Sequence, residues 1–288
     1  MPAQILDGLA TARQIREEIK AELEQFTART GVTPHLAVVI VGEDPASQVY
    51  VNMKKKAALS AGMLSTVHEL PENSSQEQVM DIVKQLSTDP NIHGVMVQHP
   101  VPKHLNEQEI LDAVAPEKDV DGISRYSLGS LMTGDPMFVA ATPAGIIELL
   151  DRYNIPIQGR HAVIVGRSII LGKPVALLLL NRHATITVCH TRTRDLGEIT
   201  RQADILVAAV GKPEMITGDM IKEGAVVIDA GYNKVEGRDK DVGDVEFEAA
   251  SVKASWITPV PGGVGPMTIA MLLLNTMKAA RRSAGIME

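Results

Sequence analysis

The sequence predicts an α/β protein of two domains: an N-terminal α/β domain with a parallel sheet, and a Rossmann-like doubly wound dinucleotide-binding domain. Two observations predict it. Short apolar runs of strand length alternate with segments of helical periodicity along much of the 288 residues. Such strand–helix–strand alternation makes neighbouring strands parallel, with helices covering the sheet. The alternation is interrupted by a polar, Gly-containing passage from Lys118 to Ala141, which is read as carrying the chain between two domains.

The elements follow in order. HLAVVIVG (35–42) is a continuous apolar run, as expected of a buried strand. Asp44-Pro45 starts a helix, with Asp as N-cap and Pro at the first helical position, and nothing breaks it before Gly62. GMLSTVHEL (62–70) is a strand. SSQEQVMDIVKQL (74–86) carries a capping signal and sets Val79, Ile82, Val83 and Leu86 at helical spacing. GVMVQHP (94–100) is a second buried strand and NEQEILDAV (106–114) a further helix.

Thr142-Pro143 opens the helix AGIIELLDRY, expected to brace the two halves. Five strands then recur: HAVIVG (161–166), TITVC (185–189), DILVAAV (204–210), AVVIDAG (225–231) and WITPV (256–260). The final helix, from about Met267 to Arg282, is too apolar for a solvent tail and is expected to pack back on the first domain. The expected domains are therefore 1–120 together with 267–288, and 141–266.

Composition narrows the class. Aromatic residues are only 3% against 45% hydrophobic, so the core is built from aliphatic side chains and Met. A net charge of −7 argues against a nucleic-acid binder, which needs a basic surface for phosphates. The start MPAQILDGLATAR lacks the pattern of a secretory signal, and no apolar stretch reaches the roughly 18 residues that span a bilayer. The one cysteine, Cys189, excludes an internal disulfide, and at the end of an apolar strand it reads as a small hydrophobe. These features predict a cytoplasmic protein without membrane or nucleic-acid partners. The eight histidines show no metal-site spacing, and no metal is expected.

Two segments carry chemistry. Tyr50 and Lys54 stand at i and i+4 of the first helix, so a phenol and an amine share one face, while Lys55 and Lys56 point elsewhere. Taken alone, the segment reads first as a solvated basic helix face. In the second half HAVIVG runs through Arg167-Ser168 and Gly172 into a helix, the place where a doubly wound fold holds a pyrophosphate. The usual G-x-G-x-x-G has Ser168 in place of its second glycine, which weakens the fingerprint. About 20 residues on, an NAD site carries an acid for the ribose hydroxyls. This chain has His190-Thr191-Arg192-Thr193-Arg194 there instead, a hydroxyl and arginines suited to a ribose 2′-phosphate. Arg167 is expected near the same corner, and the inferred cofactor is NADP.

With these parts assembled, the chain resembles the bifunctional methylenetetrahydrofolate dehydrogenase/methenyltetrahydrofolate cyclohydrolase family. Four blocks carry the likeness: SQVYVNMKKKAA (47–58), GVMVQHPVP (94–102) with KDVDG (118–122), VIVGRSIILGKPVALLL (163–179), and PGGVGPMTIAMLL (261–273). They occur in the family's order and span nearly the whole chain. The resemblance implies two domains with the folate in a cleft between them, NADP as cofactor, and a homodimer. It implies that Lys54 is the catalytic lysine, Tyr50 lines the folate site, Gln98 hydrogen-bonds the lysine and Asp121 holds the pterin. Gly166, Arg167, Ser168, Thr191, Arg192 and Tyr232 fall on or beside positions that contact NADP, and Gly262 and Gly263 on the loop closing over the nicotinamide.

The chain departs from the family pattern in places. His99 and Val101 replace the leucines of VQLPLP, and Ala140-Ala141 stands where Pro-Cys is common. Position 191 is often Ser and 232 often Ile, leaving the pocket shape near His99 and Tyr232 open. Two other readings compete: a dehydrogenase with a weakened cyclohydrolase step, and a sensor that binds NADP without turnover. Intact Lys54 argues against the first. Lys54, Gln98 and Asp121 together argue against the second, because a sensor has no use for an acid–base group beside a pterin anchor.

Overall fold

The computed structural model describes residues 2–238 and 241–286. In chain order its elements begin with β1 (Gln4–Ile5), α1 (Gly8–Thr30), β2 (His35–Val41), α2 (Pro45–Ser60) and β3 (Leu64–Leu70). Next come α3 (Gln76–Thr88), β4 (Gly94–Val97), α4 (Glu107–Asp112), α5 (Arg125–Thr133) and α6 (Ala141–Arg152). The remainder is β5 (His161–Val165), α7 (Gly172–Asn181), β6 (Thr185–Cys189), α8 (Leu196–Thr200), β7 (Ile205–Ala208), β8 (Val226–Asp229), α9 (Phe247–Lys253), β9 (Trp256–Ile257) and α10 (Val264–Ser283).

The chain forms two compact units, one of residues 14–141 with 269–288 and the other of residues 1–13 with 142–268. The first holds a parallel three-stranded sheet of order β3-β2-β4. Its centre is β2, whose residues from Leu36 to Val41 are all buried, which is why that run is continuously apolar. Helix α2 starts as its sequence dictates: Asp44 Oδ2 accepts the Ser47 N–H at 2.8 Å and Pro45 occupies the first turn. Helix α3 closes a full capping box between Ser75 and Gln78.

The second unit holds a six-stranded parallel sheet of order β1-β9-β8-β7-β5-β6. From β5 the chain goes first to β6 on one side and then to β7 on the other. The strand order therefore reverses at the carboxyl ends of β5 and β7, where doubly wound sheets bind ligands.

Three features differ from the sequence reading. The passage expected to run as a polar connection contains α5, capped by Ser124 at its start and closed by Gly134 in the left-handed conformation. Its short length and weak apolar stripe hide it from a periodicity argument. Helix α1 has no counterpart among the expected elements, although Ala12, Ile15, Ile19, Leu23 and Phe26 are buried along one stripe of it. Residues 1–13 group with the six-stranded unit rather than with the chain that follows them. The cause is β1, only two residues long, which pairs Gln4 with Trp256 and Ile5 with Ile257. No local pattern announces so short a strand.

Candidate active site

In the three-stranded unit the site lies at the carboxyl edge of the sheet. Gln98 directly follows β4 and its backbone N–H continues the ladder to the Val39 carbonyl at 2.8 Å. Lys54 projects from the face of α2 that also buries Val51, Ala57 and Ala58. It is 7% exposed, and its Nζ donates to Gln98 Oε1 at 3.0 Å. The amide is fixed from its other end as well, since Gln98 Nε2 donates to the His99 carbonyl at 2.7 Å. Of the three consecutive lysines only Lys54 is turned inward; Lys56 is exposed. Tyr50, one turn earlier, is 43% exposed, so its ring presents an open face.

Asp121 is half-buried on the loop after α4. Burial pulls the Lys54 pKa below its ordinary value, with the charge of Asp121 working in the opposite direction. Burial likewise pushes the Asp121 carboxyl up, opposed by the positive charges of Lys54 and His99 and assisted by Asp119. Desolvation wins for both groups, and each is moved toward its neutral form.

The Asp121 loop is held by two residues that the sequence reading passed over. Asp119, 3% exposed, accepts the N–H groups of Gly122 and Ser124, both at 3.1 Å, and the hydroxyls of Ser124 and Ser127, both at 2.6 Å. Asn275 on α10 donates to the carbonyls of Val120 at 2.8 Å and Val139 at 3.1 Å. The only sequence signal for Asp119 was the paired aspartates of DVDG. For Asn275 it was a polar residue inside an apolar helix.

In the other unit Gly166 directly follows β5 at φ 139°, and a Cβ there would lie 2.2 Å from the Ala209 carbonyl oxygen. A Cβ on Gly172 would lie 2.3 Å from the Gly166 oxygen. Strand, turn and helix therefore approach so closely that only glycine fits at both positions. Ser168 occupies the place of the missing glycine and its Oγ accepts the Gly172 N–H at 3.3 Å. Arg167 and Ser168 are exposed there.

At the end of β6 the chain turns through internal bonds. The Thr193 hydroxyl accepts the His190 N–H at 2.8 Å, and His190 Nδ1 accepts the Arg192 N–H at 3.1 Å. Thr191 and Arg192 are left on the surface. Cys189 is buried, and burial pushes its thiol pKa up. Tyr232, 52% exposed, follows β8 and its hydroxyl donates to Asp241. In the Pro261–Gly265 segment the Gly262 carbonyl accepts the Leu9 N–H at 2.9 Å. A Cβ on Gly8 would lie 1.8 Å from the Gly263 oxygen. This packing ties the segment to the first residues of the chain.

A glycine-lined turn after β5, cations and hydroxyls at the end of the adjacent β6, and the strand-order reversal between β5 and β7 suit a phosphorylated dinucleotide. Among the described residues no group of three or more side chains forms a metal site. No helix among them is long and apolar enough to cross a membrane.

Fold and site together define an α/β enzyme with one dinucleotide-binding unit and a second unit carrying a buried amine. The sequence profile of the tetrahydrofolate dehydrogenase/cyclohydrolase catalytic domain matches residues 6–121, and that of the family's NAD(P)-binding domain matches residues 140–284. The chain belongs to the tetrahydrofolate dehydrogenase/cyclohydrolase family. It is 59% identical to the bifunctional protein FolD of Moorella thermoacetica, covering 98% of this chain and 100% of that one. The crystal structure of FolD from Campylobacter jejuni superposes with a TM-score of 0.95 at 45% identity, over 97% of this chain and 99% of that one. The Trypanosoma brucei enzyme, crystallised with NADP and an inhibitor, superposes with a TM-score of 0.94 at 39% identity, over 98% and 99% of the two chains.

Proposed function

We propose that the unit of residues 14–141 and 269–288 binds the folate, with Lys54, Tyr50, Gln98 and Asp121 as its working residues. In the other unit Gly166, Arg167, Ser168, Thr191, Arg192, Tyr232, Gly262 and Gly263 hold NADP. The protein oxidises 5,10-methylenetetrahydrofolate to 5,10-methenyltetrahydrofolate and then hydrolyses that product to 10-formyltetrahydrofolate. The observation that carries this reading is the buried Lys54 amine held by an uncharged partner, Gln98.

NADP⁺, when bound, supplies the hydride acceptor. The nitrogens flanking the one-carbon bridge stabilise the cation left behind, so no strong base is needed. The chain's part in this step is to orient the folate. Hydrolysis asks more of the protein. A water that adds to the methenyl carbon must lose a proton, and the departing ring nitrogen must gain one.

Lys54 serves both transfers. Its lowered pKa enlarges the fraction of neutral amine that can take the water's proton, and the ammonium so formed returns one to nitrogen. Gln98 aims the amine through its oxygen without locking it as an ion pair. In its ionised form Asp121 can accept two parallel N–H bonds from the pterin edge. Tyr50 offers an apolar face and a hydroxyl. The protein acts in the cytoplasm as a homodimer, an assembly supported by the family resemblance and checked by sedimentation velocity.

The test is spectroscopic. Protein with methylenetetrahydrofolate should generate reduced-cofactor absorbance with NADP⁺ strongly preferred over NAD⁺; silence with both cofactors would sink the assignment. Lys54→Met should slow methenyl hydrolysis by about 10²–10⁴ and damage the oxidation less. Near-wild-type hydrolysis in that variant would remove Lys54 from the chemistry.

A further inference from the structure

We infer that Asp244 is a positioning residue for the dinucleotide, acting by fixing the loop that follows β7. Its carboxylate is fully buried and accepts four bonds. Oδ2 receives the N–H groups of Val210 at 2.5 Å and Gly211 at 2.9 Å, and Oδ1 receives the N–H of Lys212 and Nδ2 of Asn233, both at 2.9 Å. Three successive backbone N–H groups, with Gly211 at φ 69°, form the concave nest that binds anions in many proteins. Here the anion is supplied by the chain itself.

The placement of this nest gives it a function. Ala209, immediately before it, donates its N–H to the Val165 carbonyl at 2.8 Å, and its own carbonyl abuts the Gly166 turn. The loop is therefore a wall of the crevice at the carboxyl ends of β5 and β7. Asn233, the fourth donor, is next to Tyr232, so one carboxylate ties together the loops after β7 and after β8.

A second buried carboxylate supports the first. Asp229 Oδ1 accepts the Asp244 N–H at 3.0 Å, its Oδ2 accepts the Val245 N–H at 2.9 Å, and its Oδ1 also accepts the Gly231 N–H at 2.9 Å. Room for the pair comes from glycines. A Cβ on Gly243 would lie 1.8 Å from Asp229 Oδ2, and one on Gly231 would lie 2.3 Å from Asp244 Oδ1. The VGDV segment (242–245) is thus the clasp of the cofactor-side loops.

The inference rests on the reading of the Gly166 turn as the dinucleotide cradle, so wild-type protein is first titrated with NADPH by fluorescence; absence of binding there defeats that reading itself. With wild-type binding established, Asp244→Asn is assayed for both reactions. The amide turns a donor toward N–H groups that have no other acceptor among the described residues. The KM for NADP⁺ should rise about tenfold with kcat within about twofold, while cofactor-free methenyl hydrolysis stays at the wild-type rate.

An unchanged KM for NADP⁺ would overturn the inference. So would an equal fall in both activities, the mark of a merely structural residue. Should Asp244→Asn fail to fold, Asn233→Ala carries the test. It removes one donor, and a KM for NADP⁺ raised with hydrolysis intact supports the clasp, whereas an unchanged KM refutes it.

Discussion

Lys54 Nζ donates to Gln98 Oε1 at 3.0 Å with both side chains 7% exposed, so the amine at the centre of the site is oriented by a neutral group. A carboxylate in the same place would favour the ammonium and hold its proton. A charge introduced at residue 98 would therefore change the proton affinity of residue 54.

Gln98→Glu is the corresponding test. The new charge should raise the Lys54 pKa, opposing the depression caused by burial. The basic form would then appear only at higher pH. The pH–rate profile of methenyl hydrolysis should move to the alkaline side by about one unit or more, with the rate near neutrality down about tenfold. A profile superposable on wild type would show that residue 98 does not tune the amine.

Gly166→Ala addresses the other unit. The added methyl would sit 2.2 Å from the Ala209 oxygen at a φ of 139°, which disfavours any side chain. We expect a destabilisation of ~1–3 kcal/mol with loss of NADP binding. Calorimetry and NADPH titration read these two effects, and intact binding would mean that the turn yields without consequence.

Arg192→Ala separates the basic residues at the cofactor edge. Arg192 is exposed at the end of β6, beside Thr191. If its guanidinium holds the 2′-phosphate, the KM for NADP⁺ should rise about tenfold or more while that for NAD⁺ is unmoved. An unchanged KM for NADP⁺ would shift the role to Arg167.

Asp229 predicts a pH dependence of stability. Burial pushes its pKa up from 3.8 to about 6, opposed by the three N–H groups it accepts and assisted by Asp244. The folded value is above the unfolded one, so its stabilising contribution is fully present below pH 3.8 and is lost as pH rises through about 6. Relative to Asp229→Asn, the wild-type protein should lose roughly 3 kcal/mol between acid and neutral pH. Chemical denaturation of both proteins across that range measures the difference, and parallel pH profiles would contradict it.

Much of this molecule was legible in the chain, for physical reasons that vary by element. Strands such as β2 and β5 are buried on both faces, and their continuous apolar runs advertise them. Helices α2 and α3 carry caps written in adjacent residues. The i, i+4 spacing of Tyr50 and Lys54 follows from helix geometry alone. Gly166 and Gly172 could be read as turn residues, though not the backbone oxygens that exclude a Cβ there.

The order of residues fixes local features: the α/β alternation, the capped helices, the glycine turn and the residue types able to do folate and NADP chemistry. The tertiary structure alone decided that Lys54 is the lysine turned inward, that β1 joins the sheet of a strand some 250 residues away, and that Asp119, Asn275 and Asp244 hold the loops of the two sites. The reason is that burial and long-range hydrogen bonding depend on which segments meet in space. A buried carboxylate accepting three backbone N–H groups reads in the chain as one more surface aspartate.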